Sequence, residues 1–147
     1  MSCTVFTHRL VAILNKDIEL GVAINAANHA AIAMGTRIGA QALHLENYQD
    51  ANGNIYPISG MPFIILKAKS QEIKKILAEA RALKNNQENN QKIESIAFLD
   101  TMTGGDYLEQ MERTAQQPEE NLKFYAAVLY GPEELIRKLT KRLSLYK

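Results

Sequence analysis

The sequence predicts a small three-layer α/β domain, because strand-like apolar runs alternate with helical patterns along the chain. The clearest run, Phe124 to Tyr130, suits a buried strand and is too short for a membrane span. It passes through Gly131 and Pro132 into an apolar pattern of helical spacing. Gly131 is predicted to turn the chain, and Pro132 to open the helix, where its missing N–H costs nothing. A length of 147 residues suits one domain, here taken as residues 1–147.

The first strand and helix are predicted between Leu10 and Met34. Leu10 to Leu14 is a continuous apolar run, as in a strand covered on both faces. The segment from Gly21 to Met34 is rich in alanine, which favours helix. Gly35 is predicted to end this helix. The predicted buried stripe, at spacings of three and four residues, is Leu20, Ile24, Ala27, Ala31 and Met34.

The middle of the chain is predicted to form two paired strands, followed by a strand and a helix. Ala42–Leu45 and Asn54–Ser59 flank the turn signal Asp50–Gly53. Phe63–Leu66 is a further run of the buried-strand type. Ser70 is predicted to cap the helix that follows it.

Polar sequence surrounds the next predicted strand. Residues 84–92 contain no apolar side chain and are predicted to form an exposed loop. Ile93 to Leu99 is predicted to be a strand, and a short helix is predicted around Tyr107 to Met111 within the polar segment 100–121.

Composition and charge argue against several classes of protein. Seventeen basic and sixteen acidic residues give a formal charge of +1, unlike a basic nucleic-acid-binding domain. The single cysteine, Cys3, excludes an intramolecular disulfide, and no apolar run reaches the length of a membrane span. With no secretory signal, a cytoplasmic protein is expected. One local cluster of cations either complements the last helix, which is favoured, or forms a phosphate patch: Arg137, Lys138, Lys141, Arg142 and Lys147.

Ligands in α/β proteins bind at loops that follow strands, and three such loops are predicted here, at residues 15–21, 100–106 and 131–132. The first leads into the helix that carries Asn25, Asn28 and His29. Asn25 and His29 are four residues apart and share a helix face, so both are predicted to address one small ligand. His29 is either a proton carrier or a partly buried histidine satisfied by a neighbour, which is slightly favoured. Asn25 is predicted to position the ligand, since asparagine is a poor helix former.

The second loop contains Asp100, which either accepts a proton from a ligand or caps the following turn. The three histidines, His8, His29 and His44, fall in separate predicted elements, so no metal site is predicted. No dinucleotide or phosphate-loop fingerprint is present, and no cofactor is predicted.

The ending GPEELIRKLTKRLSLY after an apolar strand resembles the C-terminus of the archaeal and eukaryotic type of peptidyl-tRNA hydrolase. It is still more similar to an uncharacterised family, domain of unknown function two thousand. The resemblance covers roughly residues 9–147 and extends through the segment PFIILKAKSQEIKKILAEA. It implies a mixed sheet between helices, and a three-layer α/β/α fold like that of the hydrolase.

The resemblance also allows the hydrolase motifs to be placed on this chain. Asp17, Gly21 and the segment Asn28–Ala30 match the first motif if two residues are deleted, but its lysine falls on Val22. Losing a charge that stabilises an oxyanion typically lowers a rate by ~10²–10³.

In the second motif, Asp100 matches and Thr103 lies one place short. The following segment, with Asp106 and Tyr107, instead resembles the uncharacterised family.

Two functions are therefore predicted. The first is a non-hydrolytic relative that binds a small molecule or protein partner in a cleft between the first and fourth strand loops, using Asn25, Asn28, Asp17 and Tyr107 as ligand-binding residues. The second is a hydrolase that cleaves peptidyl-tRNA or a related acyl bond with Asp100, Thr103 and His29. Charge, Val22 and the changed second loop favour the first function over a tRNA-directed one. A homodimer packed through the alanine-rich helix is a further prediction.

Overall fold

The structure, a computed structural model, describes residues 6–85 and 92–147 and contains a five-stranded mixed sheet. The strands lie side by side in the order β5 (Glu94–Leu99), β6 (Phe124–Pro132), β1 (His8–Asn15), β4 (Phe63–Ala68) and β7 (Ser144–Leu145). β1 and β4 are parallel, whereas β6 is antiparallel to both of its neighbours, and β7 is antiparallel to β4. The expected mixed sheet is confirmed.

Helices cover both faces of this sheet. α1 (Leu20–Leu43) packs on one face, and α2 (Ser70–Asn85) and α4 (Glu133–Thr140) pack on the other. The side chains of β1 point alternately to the two faces of the sheet. Leu10, Ala12 and Leu14 lie in the core beneath α1. Val11 and Ile13 lie in the core beneath α2 and α4. Helices on both faces of a sheet make three layers.

α3 (Tyr107–Ala115) is the fourth helix, and it packs beside the 3₁₀ turn Asp100–Met102. It confirms the helix predicted there and extends it to Ala115. Within the part of the chain that the structure describes, no helix is both long and apolar enough to span a bilayer. Cys3 and most of the predicted loop at 84–92 lie outside the described residues.

The prediction that α1 ends at Gly35 is wrong, since the helix continues to Leu43. Gly35 lies inside the helix, where a Cβ would make only an ordinary contact, 3.6 Å from Leu43 Cδ1. The helical backbone is interrupted later, at Gly39, whose φ of 84° favours glycine. The helix then ends at His44 in the left-handed conformation.

The predicted buried stripe of α1 is also only partly right. Ala27 and Met34 are buried, but Leu20 and Ile24 expose 50% and 45% of their surface. The stripe that faces the sheet is almost entirely alanine and consists of Ala23, Ala26, Ala27, Ala30 and Met34. Small side chains let the helix approach the sheet closely, so the larger apolar residues lie at its flank.

A separate two-stranded ribbon connects α1 to β4. Its strands are β2 (Leu45–Gln49) and β3 (Ile55–Ser59), so β2 begins at Leu45, and Ala42, predicted to start this strand, belongs to α1. The Asp50 carboxylate organises the turn between the strands. It accepts hydrogen bonds from the backbone N–H groups of Asn52 and Asn54 and from the side chains of Asn54 and Tyr56.

The role predicted for Gly131 is wrong as well. Gly131 does not turn the chain; it lies buried within β6, which continues to Pro132 before α4 begins at Glu133. A Cβ on Gly131 would lie 3.1 Å from Ile93 Cγ1 and 3.3 Å from Ile136 Cδ1. Glycine fits here without displacing the two isoleucine side chains beside the strand, whereas a methyl group would press on both of them.

Replacing Gly131 with alanine is expected to lower the free energy of unfolding by about 1–3 kcal/mol, because the added methyl group overfills this contact. Gly21→Ala is the matched control. A Cβ at Gly21 meets nothing within 4 Å, and the helix gains about 0.5–1 kcal/mol from the same substitution. Urea unfolding of both variants measures the difference, and equal effects at the two positions would contradict this account of Gly131.

The turn of the ribbon is expected to loosen in acid. Hydrogen bonds lower the pKa of Asp50 from 3.8 to about 2. The largest effects come from the side chain and the backbone of Asn54, and smaller ones come from Tyr56 and Asn52. Because the folded-state pKa is lowered, the stabilisation is complete above pH 3.8 and is lost as the pH falls towards 2. NMR titration of the Asp50 carboxyl group, with amide exchange at Asn52 and Asn54, measures this. A midpoint at the ordinary aspartate value would show that these hydrogen bonds do not form in solution.

Candidate functional site

Two of the three predicted ligand loops lie at the same end of the strands. β1 and β5 run in the same direction on either side of the antiparallel β6. The loops after Asn15 and Leu99 therefore lie side by side, next to the start of β6 at Phe124. The third predicted loop, at residues 131–132, is not a loop, because both residues belong to β6, which ends on the opposite side of the sheet. The prediction of a loop there is therefore wrong.

The Phe124 peptide is held from both sides. The Asn15 side-chain amide donates to the Phe124 carbonyl over 2.9 Å, and the Phe124 N–H donates to the Ser70 hydroxyl over 2.9 Å. Asn15 Oδ1 also accepts the N–H of Asp17 over 2.8 Å. Asn15 is only 4% exposed. In the sequence Asn15 is an amide directly after an apolar run, a pattern that predicts only a loop. Ser70, predicted as a helix cap, instead fixes β6.

Asp100 and Thr103 also make backbone contacts. Asp100 Oδ1 accepts the N–H of Lys123 over 3.1 Å, and the Asp100 N–H donates to the Lys123 carbonyl over 2.9 Å. The Thr103 hydroxyl donates to the Asp100 carbonyl over 2.7 Å. The Asp100 carboxylate therefore bonds the chain just before β6, at Lys123, and its observed hydrogen bond does not cap the turn that follows Asp100.

The segment that leads into α3 is shaped by two glycines and an arginine. Gly104 and Gly105 have φ angles of 72° and 75°, in the region that glycine adopts without strain. The Arg113 guanidinium donates to the Thr103 carbonyl over 2.7 Å and to the Gly104 carbonyl over 3.3 Å. Asp106 then caps α3 by accepting the N–H of Glu109. These contacts fix the position of α3 beside the end of β5.

A cleft of about 330 Å³ lies between α1, the end of β5 and α3. His29 is one of its two most polar lining residues, and Gln110 of α3 is the other; the Phe98 ring lies 5.7 Å from the His29 ring, between ring centres. The rest of the lining is mainly apolar and includes Ala30, Ala33, Phe98 and Met102. Gln110, Met102 and Phe98 were not predicted as site residues, and no local sequence pattern distinguishes them.

The predicted site residues are spread over this region. His29 lines the cleft, whereas Asp17, Asn25 and Asn28 are exposed on α1 or the loop before it, and they do not line it. Tyr107 is 70% exposed at the start of α3. Asp100 and Thr103 lie in the turn described above. Within residues 6–85 and 92–147, no group of three potential metal-ligating side chains comes together.

The basic cluster of the last helix is partly balanced by acids. Lys138, Lys141 and Arg142 line a cavity of about 300 Å³ together with Lys75 of α2. Two carboxylates, Glu72 and Glu79, line the same cavity. This mixture of charges agrees with the preferred interpretation of the cations as a solvated helix face.

A family model described as "Protein of unknown function (DUF2000)" matches residues 8–147. Among solved structures, a protein of unknown function from Agrobacterium tumefaciens strain C58 is similar, with a TM-score of 0.79 and 19% sequence identity. The similarity covers 97% of this chain and all of the other, and it shows a shared fold. No curated protein matches significantly.

Asn15→Ala is expected to lower the free energy of unfolding by about 1–3 kcal/mol, because it leaves the Phe124 carbonyl and the Asp17 N–H without their partner. Asn28→Ala is the matched control, since Asn28 is exposed and surface substitutions usually change stability by less than about 0.5 kcal/mol. Thermal and urea unfolding of the two variants measure the difference. Equal stability would remove the anchoring role of Asn15.

Proposed function

We propose a ligand-binding function for this chain, which belongs to the DUF2000 family. The proposed ligand is a small molecule with an apolar body and one hydrogen-bonding head group. It binds in the cleft between α1 and α3, with its body against Phe98 and Met102 and its head group at His29 and Gln110. The observation that carries the proposal is the lining of this cleft, which is mainly apolar with two polar side chains.

The size and chemistry of the cleft fit such a ligand. Small-molecule sites typically have volumes of ~300–1,000 Å³ and combine apolar walls with a few polar groups that fix orientation. The cleft has a volume of about 330 Å³ and falls at the small end of that range. Its lining includes no charged side chain among the described residues, so it has no fixed countercharge for a ligand with several charges, such as a phosphate.

The two polar side chains indicate the kind of head group. The Gln110 amide makes only long contacts, at 3.4 Å and 3.5 Å, with the carbonyls of Gly104 and Gly105. Such contacts are weak, so the amide is available to donate to a ligand oxygen. The imidazole of His29 offers a second donor. A carboxylate or an amide carbonyl on a small apolar body therefore matches the cleft.

The alternative is hydrolysis of peptidyl-tRNA or a related acyl bond, and it would make this chain a functional relative of the peptidyl-tRNA hydrolases. It has less support. Asp100 and Thr103 make backbone hydrogen bonds and do not line the cleft that holds His29. Val22 stands at the position of the motif's lysine, and the formal charge of +1 gives little attraction for tRNA.

Binding of 2-naphthoate, a small aromatic carboxylate, tests the proposal. In an NMR titration we expect the amide signals of Ala30, Phe98, Met102 and Gln110 to shift, with a dissociation constant in the ~0.1–1 mM range typical of so small a ligand. Ala33→Phe fills the cleft and is expected to abolish binding. His29→Ala is expected to weaken it about tenfold through the loss of a hydrogen bond to a charged group.

Ala78→Phe is the matched control, because Ala78 is an exposed alanine on α2. It is expected to leave the titration unchanged. If 2-naphthoate and the corresponding amide shift no cleft signal, or if Ala33→Phe binds as well as the unaltered protein, the cleft is not the site.

A peptidyl-tRNA turnover assay with the purified protein separates the two functions. We expect no turnover above the uncatalysed rate. Robust turnover that Asp100→Ala abolishes, with the thermal stability of the variant retained, would contradict the ligand-binding proposal and establish the hydrolase alternative.

A further inference from the structure

Among the described residues, no strand pairs with the outer edge of β2, and we propose that this edge pairs with the same edge of a second copy of the chain. Strand β2 of one copy then lies antiparallel to β2 of the other, about a two-fold axis at Asn47. The ribbons together form a four-stranded sheet in the order β3, β2, β2, β3. The ribbon is distinct from the cleft described above, since none of its residues lines that cleft.

The ribbon has little support from its own chain. Neither of its strands pairs with the five-stranded sheet, and all of its residues except Ser59 are exposed. An isolated two-stranded ribbon is marginally stable in water, and further strands stabilise it. The described part of the chain offers no such strand to β2 or β3, whereas a second copy does.

The two edges of the ribbon differ, and this difference selects β2. The pairs His44/Gly60 and Asp50/Asn54 at the ends of the ribbon are hydrogen-bonded through their backbones. Because bonded and non-bonded pairs alternate in an antiparallel ribbon, the N–H and C=O groups of Leu45, Asn47 and Gln49 point outward from β2. On β3, the residue opposite Asn47 is Pro57, which has no N–H to offer at the centre of that edge.

The β2 edge is complementary to itself. Pairing about Asn47 places Leu45 opposite Gln49 of the second copy. The backbone N–H of each outward-facing residue, Leu45, Asn47 and Gln49, then donates one hydrogen bond, and its C=O accepts one. The same register places the Glu46 carboxylate opposite the Tyr48 hydroxyl of the second copy. No two like charges lie opposite each other, because Glu46 is the only charged residue of β2.

The expected dimer is weak. Pairing along this edge brings the side chains of β2 against the second copy, and of these Leu45 and Tyr48 expose more than half of their surface. The apolar residues of the outer strand β3 stay uncovered, so the buried area falls well below the ~800 Å² per partner of a stable interface. The dimer should therefore be weak and depend on concentration, with association expected at the upper end of the micromolar range.

Sedimentation velocity across the micromolar range, with paired charge variants at Asn47, tests this register. Asn47→Lys and Asn47→Glu each place like charges opposite each other across the two-fold axis. Each is expected to weaken self-association about fivefold. An equimolar mixture of the two variants places opposite charges there and is expected to associate at least as tightly as the unaltered protein.

Ile55→Lys is the matched control, because Ile55 is an exposed residue of the outer strand, away from the axis, and the variant keeps Pro57 and so the blocked β3 edge. It is expected to leave the dissociation constant within about twofold. Circular dichroism melts verify that each variant is folded. A monomer at every concentration overturns the proposal. So does a dimer that ignores both Asn47 variants, which would instead implicate another face, such as the exposed flank of α1.

Discussion

The rest of the fold depends on one constraint: β6 lies between β1 and β5 and runs antiparallel to both. The ends of β1 and β5 therefore lie on either side of the first residue of β6, Phe124, whose backbone is hydrogen-bonded by Asn15 and Ser70. Asp100 fixes the neighbouring Lys123 in the same way. Three distant segments are thus joined at one strand entrance, and the positions of α1, α2 and the turn before α3 follow from it.

This arrangement leaves few polar side chains free to bind a ligand in the loops that follow β1 and β5. In α/β proteins the loops after parallel strands commonly hold ligands. Here Asn15 and Asp100 make hydrogen bonds within the chain instead. The polar side chains that line the cleft beside β5 are His29 and Gln110, one on each flanking helix. This is why the proposed ligand lies between the helices, and why a binding function has more support than a hydrolytic one.

Local patterns in the sequence were enough to predict much of the fold. The apolar runs at Leu10–Leu14 and Phe124–Tyr130 mark the two central strands, because burial on both faces requires continuous apolar sequence. Features that depend on distant residues were not predictable in this way. Asn15 bonds a residue 109 positions away. Gly131 is favoured by the isoleucines packed beside it. The direction of β6 decides which loops lie at the same end of the sheet. Gln110 likewise lines the cleft only because of where α3 packs, and no local sequence pattern predicts that position.

The surface of the molecule follows from how its core is filled. A stripe of alanines on α1 lets the helix lie close to the sheet, and this leaves Ile24 and Ile32 outside the contact, 45% and 69% exposed. In the part of the chain that the structure describes, the ribbon that follows α1 does not pair with the five-stranded sheet, and its apolar residues are exposed. Pro57 closes one of its edges, and the Asp50 turn holds both strands in register. A ribbon with one blocked and one open edge favours pairing along the open edge, because an added strand there stabilises a ribbon that is marginally stable by itself.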